Sequence, residues 1–130
     1  MVYQILEEIK TQLTGVDGAK SIRIGLERGI GAKDAPFIRI VPTRFKADND
    51  VTDIEFQVVF GFDIKNRDHE ELYRAYFEME QKIREVLSYR LPSANCIWIE
   101  TVTDEDKVPN LKTGILLFVA RGVFDYQGLA

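Results

Sequence analysis

The chain has 130 residues, 45% apolar and 29% charged, with a formal net charge of −4. Such a composition is that of an ordinary globular domain rather than a disordered or membrane-embedded chain. At this length roughly two-thirds of the unfolded surface can be buried, so no disulfide or metal staple is required.

Further exclusions follow from the order of residues. No apolar run approaches the ~18 residues that cross a bilayer, so no membrane association is expected. Met1–Lys10 carries Glu7 and Glu8 where a signal peptide would be basic and then apolar. Cys96 is the sole cysteine, which rules out an intrachain disulfide and fits a chain made in the cytosol. Lys and Arg are nowhere concentrated, so the basic footprint of a general nucleic-acid binder is missing, although DNA passing nearby without being gripped is compatible.

Taken in chain order, Val2, Ile5, Leu6, Ile9 and Leu13 form one helical stripe, ended by Gly15 and Gly18. Ser21–Glu27 alternates, with Ile22, Ile24 and Leu26 on one face, and predicts a half-buried strand. Phe37–Val41 predicts a second strand that stops at Pro42, and the short glycine-rich segment 29–36 predicts a hairpin between the two. Val51–Lys65 is the longest alternating stretch: Ile54, Phe56, Val58, Phe60, Phe62 and Ile64 share a face, the pattern of an antiparallel strand with one solvated side.

Asp68 and Glu71 are spaced as a capping-box-like pair at the start of a second helix, and Pro92 marks its end. Its stripe is Leu72, Tyr76, Met79, Ile83, Val86 and Leu87, widened by Tyr73 and Phe77. Glu70–Arg74, Glu78–Lys82 and Glu80–Arg84 are i,i+4 pairs on its other faces. Asn95–Val102 and Thr113–Tyr126 predict two final strands, the last with the continuous run Ile115–Val119, which implies a central strand or one with a face against a partner. The expectation is a single α+β domain over residues 1–130. Two helices would pack on one face of a five-stranded, largely antiparallel (mixed) sheet in the order α-β-β-β-α-β-β, with the other face polar unless a neighbouring subunit covers it.

The residues that carry chemistry elsewhere do not assemble into a motif here. His69 is the sole histidine, so there is no histidine pair for a metal or a proton relay, and it sits in the first turn of a helix among acids. Cys96 stands in an apolar strand with no basic neighbour to stabilise a thiolate. Asp48, Asp50 and Thr52 begin like a calcium loop, yet Asp53 stands where glycine is required and Val59 where glutamate is required. Thr103–Lys107 is a charged loop without complementary ligands. Gly25, Gly29 and Gly31 resemble a phosphate-binding turn, but Asp34 replaces the third glycine and the segment joins strand to strand. No catalytic residue, metal or cofactor is therefore expected.

Protein binding is the expected activity. The segments Arg44–Asp50 and Thr103–Lys112 are expected to be long charged loops, of a kind often used for function. Trp98 suits either the core or an interface hot spot. Arg44, Phe45, Lys46, Trp98, Asp104 and Lys107 are accordingly the candidate interface residues.

Over nearly its full length the chain resembles the tail terminator and tail completion proteins of long-tailed bacteriophages and prophages. The resemblance rests on the opening amphipathic helix, the strand Ala35-Pro-Phe-Ile-Arg-Ile-Val-Pro42, and the long strand around Asp53–Asp63. The helix Asp68–Arg90 and two closing strands complete it. It implies a hexameric ring that caps the tail tube, ends its polymerisation and offers a joining face to the head–tail connector protein, with DNA merely passing through the lumen. It also implies assembly in the host cytoplasm and residence in the virion tail. The family has no catalytic signature to transfer. Rival expectations are a small-ligand-binding regulatory domain, an enzyme using an Asp or Glu pair, and another connector, baseplate or minor tail component.

Overall fold

The computed structural model describes residues 2–48, 51–65, 67–88, 91–104 and 110–123. The elements run α1 (Val2–Leu13), β1 (Ser21–Ile24), a single 3-10 turn (Ala32–Asp34), β2 (Phe37–Asp48), β3 (Val51–Asp63), α2 (His69–Leu87), β4 (Ala94–Asp104) and β5 (Leu111–Val123). The five strands form one mixed sheet in the order β1-β2-β3-β5-β4, and every neighbouring pair except β1–β2 is antiparallel. The α+β class and the element order are thus those the periodicities predict.

Both helices lie on one face of the sheet. Ile5, Leu6, Ile9 and Leu13 of α1, with Leu72, Tyr76, Met79, Ile83 and Leu87 of α2, are buried against Ile38, Ile40, Ile54, Phe56, Val58, Phe60, Leu116 and Phe118. Phe56 and Phe118, cross-strand partners, stack with centroids 5.3 Å apart. The Asp68 carboxylate accepts the Glu71 N–H and caps α2, as its position predicts. The Gln12 side chain donates to the Val86 carbonyl, tying α1 to α2. The Glu8 carboxylate accepts both the Ser93 N–H and its hydroxyl, tying α1 to the entry of β4.

The expected β1–β2 hairpin is wrong: the strands are parallel, with Ser21 beside Phe37 and Ile24 beside Ile40. Gly25, at φ 94°, turns the chain out of β1, which leaves Leu26 exposed rather than in line with Ile22 and Ile24. Residues 25–36 then return across the face opposite the helices, where Ile30, Ala32 and Ala35 pack on Phe37, Val59 and Leu111. The apolar residues inside the glycine-rich segment make it a crossover. A tight turn would have left them in water.

An ion pair locks that crossover. Arg39 is 2% exposed, and its guanidinium donates to both oxygens of Glu27 at 2.6 and 3.0 Å and to the Ser21 carbonyl at 3.1 Å. Those hydrogen bonds hold the Glu27 carboxyl down to about 2, from an ordinary 4.5, against the opposing effect of desolvation. Because the folded value is the lower one, the stabilisation is complete above pH 4.5, fades as pH falls toward 2 and is absent below that. Between those limits the urea midpoint of the wild type is expected to fall more steeply with acid than that of Glu27→Gln. Parallel slopes would show that the clamp adds nothing.

Two glycines are fixed by aromatic rings. A Cβ on Gly114 would lie 2.5 Å from Phe60 Cε1 and 2.6 Å from the Tyr76 hydroxyl, and one on Gly61 would lie 2.6 Å from Phe37 Cζ. Phe60 and Tyr76 are fully buried and have nowhere to go. Gly114→Ala is expected to lose about 1–3 kcal/mol in urea unfolding, the usual cost of overpacking.

Candidate interaction surface

Among the described residues β1 and β4 end the sheet, but the edge on the β1 side is split in two. β1 covers β2 from Phe37 to Ile40 alone, so Val41–Asp48 of β2 has no outer strand beside it among the described residues. β4 pairs with β5 along Ala94–Asp104 and has its other side free in the same sense. Each uncovered edge is bulged, β2 between Pro42 and Arg44, β4 between Trp98 and Glu100.

Arg44, Phe45 and Lys46 therefore lie on a strand, not in the expected loop. The alternation of Phe37–Val41 continues past Pro42 because an edge position tolerates a proline and the bulge at Thr43 absorbs the change of register. Arg44 and Lys46 oppose Glu55 and Asp53 on the helix-free face, whereas Phe45 opposes Ile54 on the helix face, yet is 62% exposed. The expected loop 103–112 is also shorter: Thr103 and Asp104 end β4, and Leu111 and Lys112 begin β5. Lys112 is buried with its Nζ 4.3 and 4.6 Å from the ring centroids of Tyr73 and Tyr76. Lys107 lies outside the described residues, as do Asn49 and Asp50 of the calcium-loop-like segment.

Trp98 is held by a chain of hydrogen bonds that sequence reasoning missed. Its Nε1 donates to the Thr101 hydroxyl at 2.9 Å, and that hydroxyl donates to the Glu80 carboxylate at 2.7 Å. The carboxylate also accepts two bonds from the Arg84 guanidinium, at 2.7 and 2.9 Å. Arg84 in turn lies over the Trp98 ring, 5.0 Å from its centroid. Glu80 raises the Arg84 pKa above its ordinary value chiefly through this hydrogen bonding. The i,i+4 spacing identifies the Glu80–Arg84 pair, but not that Glu80 is buried beneath β4. A tryptophan so anchored, and still 40% exposed, presents a ring whose orientation is already fixed.

Around it lies the largest group of exposed apolar side chains in the described sheet. Ile97, Ile99 and Val102 of β4 are each 43–58% exposed. Ile97 and Val102 oppose Val119 and Ile115 of β5, which are half-buried on the helix-free face. The helix-free face is thus not polar throughout, as expected, but divided. Its β2–β3 side carries Arg44, Lys46, Glu55 and Asp53, the last in a bidentate pair at 2.7 and 3.0 Å with Arg121 of β5. Its β5–β4 side is apolar at Ile97, Val102, Ile115 and Val119 and carries Glu100 beside them. On the helix side, Tyr73 and Phe77 fall at helical spacing on the flank of Glu80 and Arg84 and are 40% and 53% exposed.

Groups with catalytic potential are differently placed. Burial pushes the Cys96 thiol up to about 12, with a smaller contribution from Glu8, so it is a poor nucleophile at neutral pH. His69 is exposed on the first turn of α2. Among the described residues no three His, Cys, Asp or Glu side chains are grouped to hold a metal ion, and no helix is long and apolar enough to cross a membrane. Two surface depressions are lined by Tyr3, Glu7, Lys10 and Ile24, and by Asp17, Phe62, Met79 and Lys82, respectively.

Trp98 is the sole tryptophan, which makes its anchor directly readable. Thr101→Val removes one acceptor and one donor and is expected to cost about 0.5–1.5 kcal/mol, the net worth of a hydrogen bond whose partners keep solvent or Arg84. It should also red-shift and broaden the fluorescence as the indole gains freedom. An unchanged spectrum and midpoint would mean that the hydroxyl is dispensable. In comparison with known proteins, the chain matches no family model and no curated sequence.

Proposed function

We propose that the chain is a structural, non-catalytic subunit of a phage or prophage tail, one that closes into a ring, caps the tail tube and offers its far side to the head–tail connector. The observation that carries this reading is that, among the described residues, one sheet has two unlike uncovered edges, one bearing Arg44 and Lys46 and the other apolar to acidic. Unlike surfaces on opposite sides of a subunit form heterologous contacts, and heterologous contacts close into rings when the rotation per subunit divides a full turn. Trp98 and Phe45, both exposed on those edges, are the aromatic anchors such a contact would use. The net charge of −4 also suits a channel along which DNA slides without adhering, since like charges repel.

The test is functional capping. Purified chain, added in slight molar excess over tube ends to a polymerising tail-tube protein of the same particle, is expected to arrest elongation and yield tubes of fixed length bearing a terminal ring in electron micrographs. Native mass spectrometry should give a closed hexamer, alone or on the tube. Tubes that elongate unchanged would remove the terminator reading. A discrete dimer binding a small metabolite would replace it with the regulatory-domain alternative.

A further inference from the structure

We infer that the two uncovered edges are partners for one another: the outer edge of β2 in one copy of the chain pairs with the outer edge of β4 in the next, so that the sheet continues from subunit to subunit. This deepens the ring reading and rests on it.

Three features favour this occupant over others. The first is charge. The free stretch of β2 bears Arg44 and Lys46, with Asp48 at its far end and Arg44 3.7 Å from Glu55 of β3, whereas β4 contains no Lys or Arg and bears Glu100 and Asp104. Two β4 edges brought together would set acid against acid, and two β2 edges would set base against base. On charge, the unlike pairing is the favoured one.

The second feature is the agreement of faces. Side chains alternate along a strand, so a continued sheet matches only if like character falls on the same side. Arg44 and Lys46 project from the helix-free face, and so does Glu100, the partner of Leu117. Phe45 projects from the helix face, where Trp98 and the exposed Phe77 stand. Salt bridges would form on one side of the new ladder and an aromatic cluster on the other.

The third is direction. In the order β1-β2-β3-β5-β4, β2 and β4 run oppositely, so a second copy in the same orientation meets β4 with an antiparallel β2. Strand addition at an open edge is an established mode of recognition, and antiparallel pairs outnumber parallel ones in sheets generally. Pro42, Lys46 and the bulge are features by which edges resist indiscriminate pairing, and they limit what the β2 edge will accept. The β4 edge from Ala94 to Ile99 has no charge or proline and depends on its partner for cover.

Charge reversal tests the assignment without fixing a register. One variant is Glu100→Lys, the other is the double variant Arg44→Glu/Lys46→Glu; all three positions are exposed. Each variant alone should raise the concentration for half-assembly at least tenfold by native mass spectrometry and sedimentation, with unchanged circular dichroism. Glu100→Lys should melt like the wild type, whereas the double variant, which faces Glu55 and Asp53 across the strand, should melt somewhat lower while remaining folded. A 1:1 mixture should reassemble, because alternating copies restore one wild-type interface and create one reversed interface of opposite charge. Unfolded chains could not give that rescue. The inference is overturned if the double variant alone assembles like the wild type, as it would through paired β4 edges. It is equally overturned if the mixture stays dissociated, or if the wild type is monomeric at every concentration. Rings indifferent to all three changes would overturn the edge pairing and leave the ring. Tube capping, read separately, decides the terminator reading.

Discussion

The long pairing of β3 with β5, from Val51 beside Val123 to Asp63 beside Leu111, is the constraint on which the other elements depend. It joins segments separated by α2 and β4, so its loop-closure cost is met only when the helix face is buried at once. That is why the aromatic residues concentrate there. Phe56 stacks on Phe118, Phe60 lies 4.9 Å from Tyr76, and Gly114 admits both Phe60 and Tyr76 by having no side chain of its own. Once β5 occupies the slot beside β3, β4 can pair only outside it. The chain leaving β3 through α2 must then cross over β5 to reach the edge, which lays α2 above β5 and β4 and leaves α1 for β1 and β2.

Most of the elements were legible because their periodicities are strong. The stripe of α1, the cap and stripe of α2 and the alternation of β3 each arise from burial on a single face, and burial on one face is what periodicity encodes. The misreadings have a common physical origin. Segment 25–36 and the stretch after Pro42 were read from local turn chemistry, while their conformations are decided by remote partners. Arg39 draws Glu27 onto the helix-free face, and β3 holds Arg44–Asp48 in register beyond the proline. Lys112 and Glu80 show the same limit: both charges are buried, one against Tyr73 and Tyr76, the other beneath Trp98 and Thr101. Of the candidate interface, Phe45 and Trp98 were found by residue type alone. Ile97, Ile99 and Val102 have the pattern of ordinary strand residues, because sequence does not reveal which strand is an edge.

The geometry of covering explains where the exposed apolar surface falls. Five strands at roughly 4.8 Å spacing span about 19 Å between outer axes, and two helices packed about 10 Å apart cover little more than that width. The outer rim of β4 therefore lies at the limit of what α2 can shield, and the Arg84–Trp98–Thr101–Glu80 network is the last contact before solvent. On the opposite face the crossover shields only the end near Phe37, Val59 and Leu111. A third helix or a longer crossover would have covered Ile97 and Val102. Among the described residues neither is present, and the apolar strip persists on β4 and β5, while the charged strip lies mainly on β2 and β3. Polar substitution of the apolar strip would have been the simpler way to keep a monomer soluble. The chain instead keeps its tryptophan at this rim, tied through Thr101 to a carboxylate buried beneath it, so the indole's orientation is set by the same contacts that bury Glu80.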